Sequence, residues 1–429
     1  MAEATVSKKK KIRRSDYPYT VFKAMRNGDW ITRLSFLIMG FGNIVRKQFV
    51  KGLSFLVLES IFIYFMIKNG ASLLTDFFHL GGAEQEKVWN DAKGIFEYTQ
   101  GDNSLLMLLY GVATVFIIFA FVCLWVVSVE SAYRAQCLHD AGKKVPGFTD
   151  DIKSLFDKNL HMFLLPLPVL GIVVFTILPL VFMICMAFTN YSKLDSHTVL
   201  FNWVGLKNFA KILNFNDAVG STFWSVLGWT LVWAVAATFT NYIFGMILAM
   251  VINRKGTRCK GVWRSIFMLS AAVPQFVSLL LMRTIFSQNG IVNTLLLNHH
   301  IIDNAIPFWS NATIARIMVI VINIWIGIPF TIMQVTGILQ SIPEDIYEAA
   351  KVDGAGPVKI FFKITLPYML FVTAPYLITT FAGNINNFNV IYLLSNGAPI
   401  PVGKTAGKTD LLVTWLYKLT IEKNYYNLG

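Results

Sequence analysis

Charge is scarce in this chain. Only 14% of its 429 residues are Asp, Glu, Lys or Arg, where a soluble protein carries about a quarter because its surface must face water. A soluble enzyme and a disordered scaffold are therefore excluded. Cysteine is scarce too: Cys123, Cys137, Cys185 and Cys259 are scattered with no CxxC pair, so neither a disulfide framework nor a zinc site is expected. The first residues, Met1 to Tyr19, are polar and basic without an apolar stretch, so no cleavable signal peptide is expected there. Chemistry-bearing clusters are also missing. His299-His300 has only Asp303 for company, which reads as a solvated loop rather than a metal site. The stretch Gly403 to Thr409 looks like a phosphate loop, but GxxxxGK[ST] needs glycine where Val402 or Ala398 stands. No acid/base, metal or nucleotide constellation points to an enzyme.

What is present is apolar. Hydrophobic residues make up 55% of the chain, the mean hydropathy is +0.56, and the apolar residues gather into runs able to cross a bilayer, which takes about 20 helical residues. Seven segments read as membrane helices: 52–67, 105–129, 163–188, 223–252, 265–286, 314–340 and 367–394. The first is short and holds Glu59, the one acid near mid-span and so a candidate for ion coupling. Ahead of it, Trp30, Leu34, Leu37, Ile38, Phe41 and Val45 form a stripe at helical spacing, predicting one amphipathic helix on the membrane face. The chain is expected to be an all-α polytopic membrane protein. Its parts would be a basic tail with the interfacial helix (1–51), extra N-terminal spans (52–161) and a translocation core (162–429).

The formal charge of +13 would suggest nucleic acid on a soluble protein. Its distribution says otherwise. With the N-terminus inside, the inner segments hold 25 Lys and Arg and the outer segments 12, the bias expected of cytoplasmic loops. The basic excess is thus read as topological, with membrane lipid as its neighbour and no nucleic acid. Six of the fourteen prolines, Pro166, Pro168, Pro179, Pro274, Pro329 and Pro375, fall in or beside spans. Such positions predict breaks facing protein or a watery cavity, with Pro274 and Pro329 the two tied to translocation.

The loop 341–367 predicts two short helices. Ser341 is placed to cap the first, Glu344 and Asp345 favour its positive end, and Gly354 with Gly356 permits a sharp break before Pro357. The sequence Glu348-Ala349-Ala350, then Asp353-Gly354-Ala355 and Ile364-Thr365-Leu366-Pro367, resembles the EAA loop by which permease subunits of bacterial ABC importers dock onto their ATPase. Trp203 to Phe209, Asn253 to Gly256 and Asn396 to Pro399 resemble the carbohydrate-importer permeases. More narrowly, Thr409 to Val413 and Phe381 to Phe388 resemble the MalF-type subunit of maltose and maltodextrin importers.

That resemblance implies a type I, MetI-like permease core with extra N-terminal spans. It implies a translocation subunit, not an enzyme, that carries a maltodextrin-like oligosaccharide through a bacterial cell membrane by alternating access. The implied partners are a second homologous permease, two ATPase subunits and an extracytoplasmic sugar-binding protein. The chain itself would bind no cofactor, since ATP and Mg belong to the ATPase. Coupling would fall to Glu348, Ala349, Ala350, Asp353, Gly354 and Pro367. The family also carries an eighth span after the region matching Tyr425 to Gly429. The rival reading, a secondary sugar transporter driven by an ion gradient, would rest on intramembrane acids, and only Glu59 offers one.

For the substrate, the seventh span contains Thr380, Gly383, Asn384 and Asn387 at i, i+3, i+4 and i+7, one face with two amides. Amides suit a sugar because each offers a donor and an acceptor without burying a charge. They also suit helix-to-helix hydrogen bonds. On the sixth span Gly327 and Phe330 flank Pro329, an aromatic face beside a predicted backbone break. The MalF resemblance implies sugar contacts at Thr380, Asn384 and Asn387, with Gly383 where the enteric protein has an aromatic and Phe330 where it has a tyrosine; Gly327 and Phe330 are read as substrate contacts from their place beside Pro329. Gln275, beside Pro274, is a weaker candidate.

Overall fold

The computed structural model describes residues 19–84, 86–90, 93–98, 101–193, 199–254 and 256–429. The basic tail before Tyr19 lies outside the described residues. The chain forms two compact units, 1–205 and 206–429. Among the described residues, six helices are long and apolar enough to cross a membrane, and a bent pair supplies a seventh crossing if it counts as one. This is a polytopic helical architecture that also carries a small hairpin, β1 (Lys87–Asn90) against β2 (Ile95–Tyr98).

In the first unit, the predicted interfacial helix is broken. It appears as α1 (Trp30–Leu34) and α2 (Phe41–Val45), separated at Gly40, whose φ of 78° lies in the left-handed region. The break has an electrostatic cause. The carboxylate of Glu59 accepts the Met39 N–H at 2.8 Å, and the Ser128 hydroxyl accepts the Gly40 N–H at 3.0 Å. Two amide groups that a continuous helix would use internally are bonded to neighbouring helices instead. Glu59 thereby has a structural partner, and Trp30, Leu37 and Val45 remain exposed. Nearby, Asp29 pairs with Arg46 at 2.6 Å. Burial alone would raise the Asp29 carboxyl, but the Thr32 N–H and the Arg46 guanidinium outweigh it and hold the group below its usual range.

The span carrying Glu59 is longer than its apolar run. Helix α3 (Phe49–Phe65) continues through a π-helical turn, Met66–Gly70, into α4 (Ala71–Phe78), 30 residues in all. Helix α5 (Ser104–Asp140) starts where the Asn103 side chain accepts the Leu105 and Leu106 N–H groups, and Phe121 on it stacks on Phe62 at 3.7 Å. The third span is α6 (Pro166–Ile172), a π turn and α7 (Leu178–Met186).

The second unit is built around α8 (Ala218–Asn253), which packs along α11 (Ala312–Ser341) and α14 (Leu366–Ile385). Their approach is close because the contact residues are small. A Cβ added to Gly245 of α8 would lie 2.5 Å from Thr331 of α11, the small-residue packing by which membrane helices associate without a hydrophobic driving force. Between α8 and α11 run α9 (Lys260–Ala272) and α10 (Gln275–Ile285), bent by 85° at Val273-Pro274. Pro274 therefore breaks its span, as its sequence position predicted. Pro329 does not: α11 runs through it without interruption. Packing of α11 against α8 supports the turn that loses its proline hydrogen bond.

The loop 341–367 forms α12 (Glu344–Val352) and α13 (Pro357–Ile360), followed by a π turn into α14. Ser341 does not cap α12. It closes α11, its hydroxyl donating to the Ile338 carbonyl at 2.7 Å, and Pro343 takes the cap position. The seventh predicted span is likewise two helices, α14 and α15 (Phe388–Leu394), because the Asn387 side chain accepts the Val390 N–H at 3.3 Å and starts a new helix.

Candidate functional site

A cavity of about 190 Å³ lies inside the second unit, between α8, the bend at Pro274, α11 and α14. Its wall includes Gly327, Phe330, Thr380 and Asn384, together with Gln275. Four of the six positions read from sequence thus converge from two helices, and the weaker candidate joins them. Gly383 and Asn387 do not line the cavity. Gly383 is exposed with open space around it, and Asn387 lies past the end of α14, where the helical spacing no longer applies. Its side-chain amide donates to the Asn384 side-chain oxygen at 3.4 Å while its own oxygen caps α15.

Asn384 is held from three sides. Its amide donates to the Thr238 hydroxyl at 3.0 Å, its backbone carbonyl accepts the Trp233 indole N–H at 3.1 Å, and Asn387 reaches its side-chain oxygen. These bonds tie α14 to α8 and set the amide in one orientation. A side chain so constrained presents its remaining hydrogen-bonding capacity to the cavity with little entropy left to lose.

Two asparagines of the wall escaped the sequence reading. Asn241 on α8 and Asn323 on α11 are both buried, and both line the cavity. The Asn241 side-chain oxygen and the Asn323 amide nitrogen have no hydrogen-bond partner among the described residues. A buried polar group left unpaired costs about 1–3 kcal/mol, and here one unmet acceptor and one unmet donor belong to two residues of the same cavity wall. Gly327 lets this happen, since a Cβ there would stand 2.2 Å from the Asn241 amide. The signal in the sequence was a single asparagine in each of two apolar spans. Neither forms a cluster along its own helix, so only the packing of α8 on α11 brings them together.

The wall is neutral. Amides, hydroxyls and tyrosines supply its polarity, and no Lys, Arg, His, Asp or Glu lines it. Such a wall offers hydrogen-bond donors and acceptors of the kind that suit an uncharged polyol. At the loop end, α12 packs on the core through Tyr347, and Glu348, Ala349, Asp353, Gly354 and Pro367 are exposed while Ala350 is half-buried. Gly354 has φ of 74°, and Val352, Val358 and Phe362 are exposed around the turn.

The residues that link the two loops after α15 serve packing. Asp410 accepts the Gly407 N–H at 2.6 Å, the Thr414 hydroxyl at 2.9 Å and the Lys418 ammonium at 2.8 Å, and Lys418 also donates to the Asn396 carbonyl at 2.9 Å. The two motifs Asn396 to Pro399 and Thr409 to Val413 thus meet on one buried ion pair.

Residues 241–418 match the family described as binding-protein-dependent transport system inner membrane component. Over most of its length the chain is similar to the galactooligosaccharides transport system permease protein GanP of Bacillus subtilis, 34% identical over 92% of this chain and 90% of the relative. The maltodextrin transport system permease protein MdxF of the same organism is 33% identical over 90% and 86%. The chain belongs to this permease family. The maltose/maltodextrin permease protein MalF of Escherichia coli is 38% identical, over 53% of this chain and 43% of that protein. Among solved structures, a bacterial ABC transporter involved in the import of the acidic polysaccharide alginate superposes with a TM-score of 0.51 at 21% identity, covering 64% of this chain and 89% of that one. That likeness shows the fold, a MetI-like permease core. As a MalF-type permease the chain is a membrane translocation subunit, not an enzyme.

Proposed function

We propose that this permease carries a neutral, maltodextrin-like oligosaccharide inward as one membrane subunit of an ATP-driven importer. The observation that carries the reading is the cavity of the second unit, where Asn241, Asn323 and Asn384 stand beside Phe330 with no charged group in the wall. Amides match pairs of sugar hydroxyls and an aromatic face matches the ring. An acidic polysaccharide would need cations to meet its carboxylates, and the wall has none, which separates this substrate class from alginate.

The exposed Val352, Val358 and Phe362 around the turn at Gly354 support docking of α12 and α13 on an ATPase subunit. Two ATPases, a second homologous permease and an extracytoplasmic sugar-binding protein complete the importer, with ATP and Mg on the ATPases. Closure of the ATPase pair moves the α12–α13 projection and shifts the spans bearing Phe330 and Asn384 between outward and inward access. The Lys and Arg count of 25 against 12 supports a cytoplasmic N-terminus and a cytoplasmic position for this projection in a bacterial cell.

The test is uptake of labelled maltodextrin by proteoliposomes holding the whole importer and its binding protein. Asn384→Ala and Asn323→Ala are each expected to lower uptake at least tenfold, the worth of one or two sugar hydrogen bonds, with assembly and membrane level retained. Normal uptake in both variants refutes the site.

A further inference from the structure

The segment that joins α4 to α5 carries the hairpin of β1 and β2, and with a cytoplasmic N-terminus it stands on the outer side of the membrane. We propose that the aromatic face of this hairpin, built on Trp89 and Phe96, docks a basic face of the extracytoplasmic sugar-binding protein. This rests on the importer reading above and names a surface for its soluble partner.

The geometry supplies the surface. Side chains alternate across a strand, so the pairing of Trp89 with Phe96 sets Lys87, Trp89 and Phe96 on one face and Val88, Asn90, Ile95 and Glu97 on the other. The Trp89 and Phe96 rings meet edge to face at 4.8 Å, and the Lys87 ammonium lies 4.8 Å from the Phe96 centroid. On the second face Glu97 accepts the Asn90 amide at 2.7 Å and the Lys93 ammonium at 2.8 Å. Val88, Trp89, Ile95 and Phe96 are nevertheless 48–56% exposed. A lone two-stranded hairpin is at best marginally stable in water, and open aromatic side chains are the groups that protein interfaces favour.

The base of the hairpin is fixed. The Asp102 carboxylate accepts the Gly82 and Ala83 N–H groups at 2.9 and 2.8 Å, and its own N–H donates to the Ala83 carbonyl at 2.9 Å. One residue past the loop, the Ser104 N–H donates to the Val199 carbonyl at 2.9 Å and its hydroxyl accepts the Phe201 N–H at 3.0 Å. A surface held in this way loses little freedom on binding.

Charge decides the occupant. Residues 79–103 hold five Asp and Glu against Lys87 and Lys93, a net charge of −3 in a chain of +13. The first unit has another exposed apolar surface, at residues 21–47, where Phe22, Trp30 and Leu37 are open. That stretch holds five Lys and Arg against Asp29 alone. Anionic lipid attracts the basic stretch and repels the acidic hairpin. Of the importer's partners, the sugar-binding protein is the soluble one on the outer side, and an acidic aromatic projection complements a protein face with Lys or Arg around an apolar patch.

The experiment titrates the complete importer in proteoliposomes with its sugar-binding protein loaded with maltotriose, and follows uptake and ATP hydrolysis. Trp89→Ala is expected to raise the binding-protein concentration for half-maximal uptake about tenfold, the scale of one interface anchor, with the maximal rate unchanged. Trp89→Phe is expected to restore most of it. Glu84→Lys is expected to raise the same concentration about threefold at low salt and less at high salt. A merely structural role for the hairpin would lower the maximal rate instead. Half-saturation at the wild-type concentration in both Trp89→Ala and Glu84→Lys overturns the docking surface, whether the hairpin then rests on lipid or on nothing. A wild-type importer whose uptake ignores the binding protein overturns the proposed partner and the docking surface together.

Discussion

Lys418→Met tests whether the buried ion pair organises the second unit. Asp410 is fully buried and Lys418 is 3% exposed, with 2.8 Å between ammonium and carboxylate. At that separation, an effective dielectric near 20 gives an attraction of about 6 kcal/mol, offset by the cost of taking both ions out of water. Removing the lysine leaves that cost on Asp410 with nothing to balance it, although the Gly407 N–H and the Thr414 hydroxyl still solvate the carboxylate. Breaking a buried pair in this way costs about 3–5 kcal/mol. For a unit of this size 1 kcal/mol moves the melting temperature by about 2–4 °C, so the loss corresponds to roughly 6–20 °C. The assay is thermal unfolding of the purified chain in detergent, read by intrinsic tryptophan fluorescence. Trp229 is a suitable reporter because its indole N–H donates to the Thr409 carbonyl beside the pair. Adding Asp410→Asn to Lys418→Met removes the stranded charge, so the double variant is expected to melt higher than Lys418→Met alone. A single variant within 2 °C of wild type, or a double variant no better than the single, refutes the reasoning.

Glu59→Gln keeps an acceptor for the Met39 N–H and is expected to leave the first unit intact and uptake unchanged, whereas Glu59→Leu strands that amide at a cost of about 1–3 kcal/mol. Loss of uptake in a well-folded Glu59→Gln variant, followed as transport under an imposed proton gradient, would instead support ion coupling. Gly354→Trp forces a bulky residue into a left-handed turn with open space around it, at about 1–2 kcal/mol of local strain. The spans should assemble normally while co-purification of the ATPase falls severalfold, and full retention of the ATPase counts against docking through α12 and α13.

The membrane architecture was legible in the primary sequence because its cause is one-dimensional. A span needs a long apolar run, and a run is visible without packing. Proline chemistry was partly legible for the same reason: Pro274 breaks the chain where it stands. Pro329 escaped that logic because α8 packs against its turn, and the interfacial stripe from Trp30 to Val45 escaped it because Glu59 and Ser128 take the amides of Met39 and Gly40. Helical spacing correctly joined Thr380 to Asn384 and then failed at Asn387, whose side chain caps a new helix instead of extending the old one.

Composition and periodicity alone therefore determined that this is a polytopic helical membrane protein and that Thr380 and Asn384 share one face of α14. The cavity itself could not be read that way. Asn241 and Asn323 are 82 positions apart in the chain, each mid-way along an apolar helix. They share a wall because Gly245 and Gly327 let α8 and α11 approach closely. Whether an isolated amide ties helices together or faces a substrate depends on which partner its atoms find, and that is a property of packing rather than of spacing.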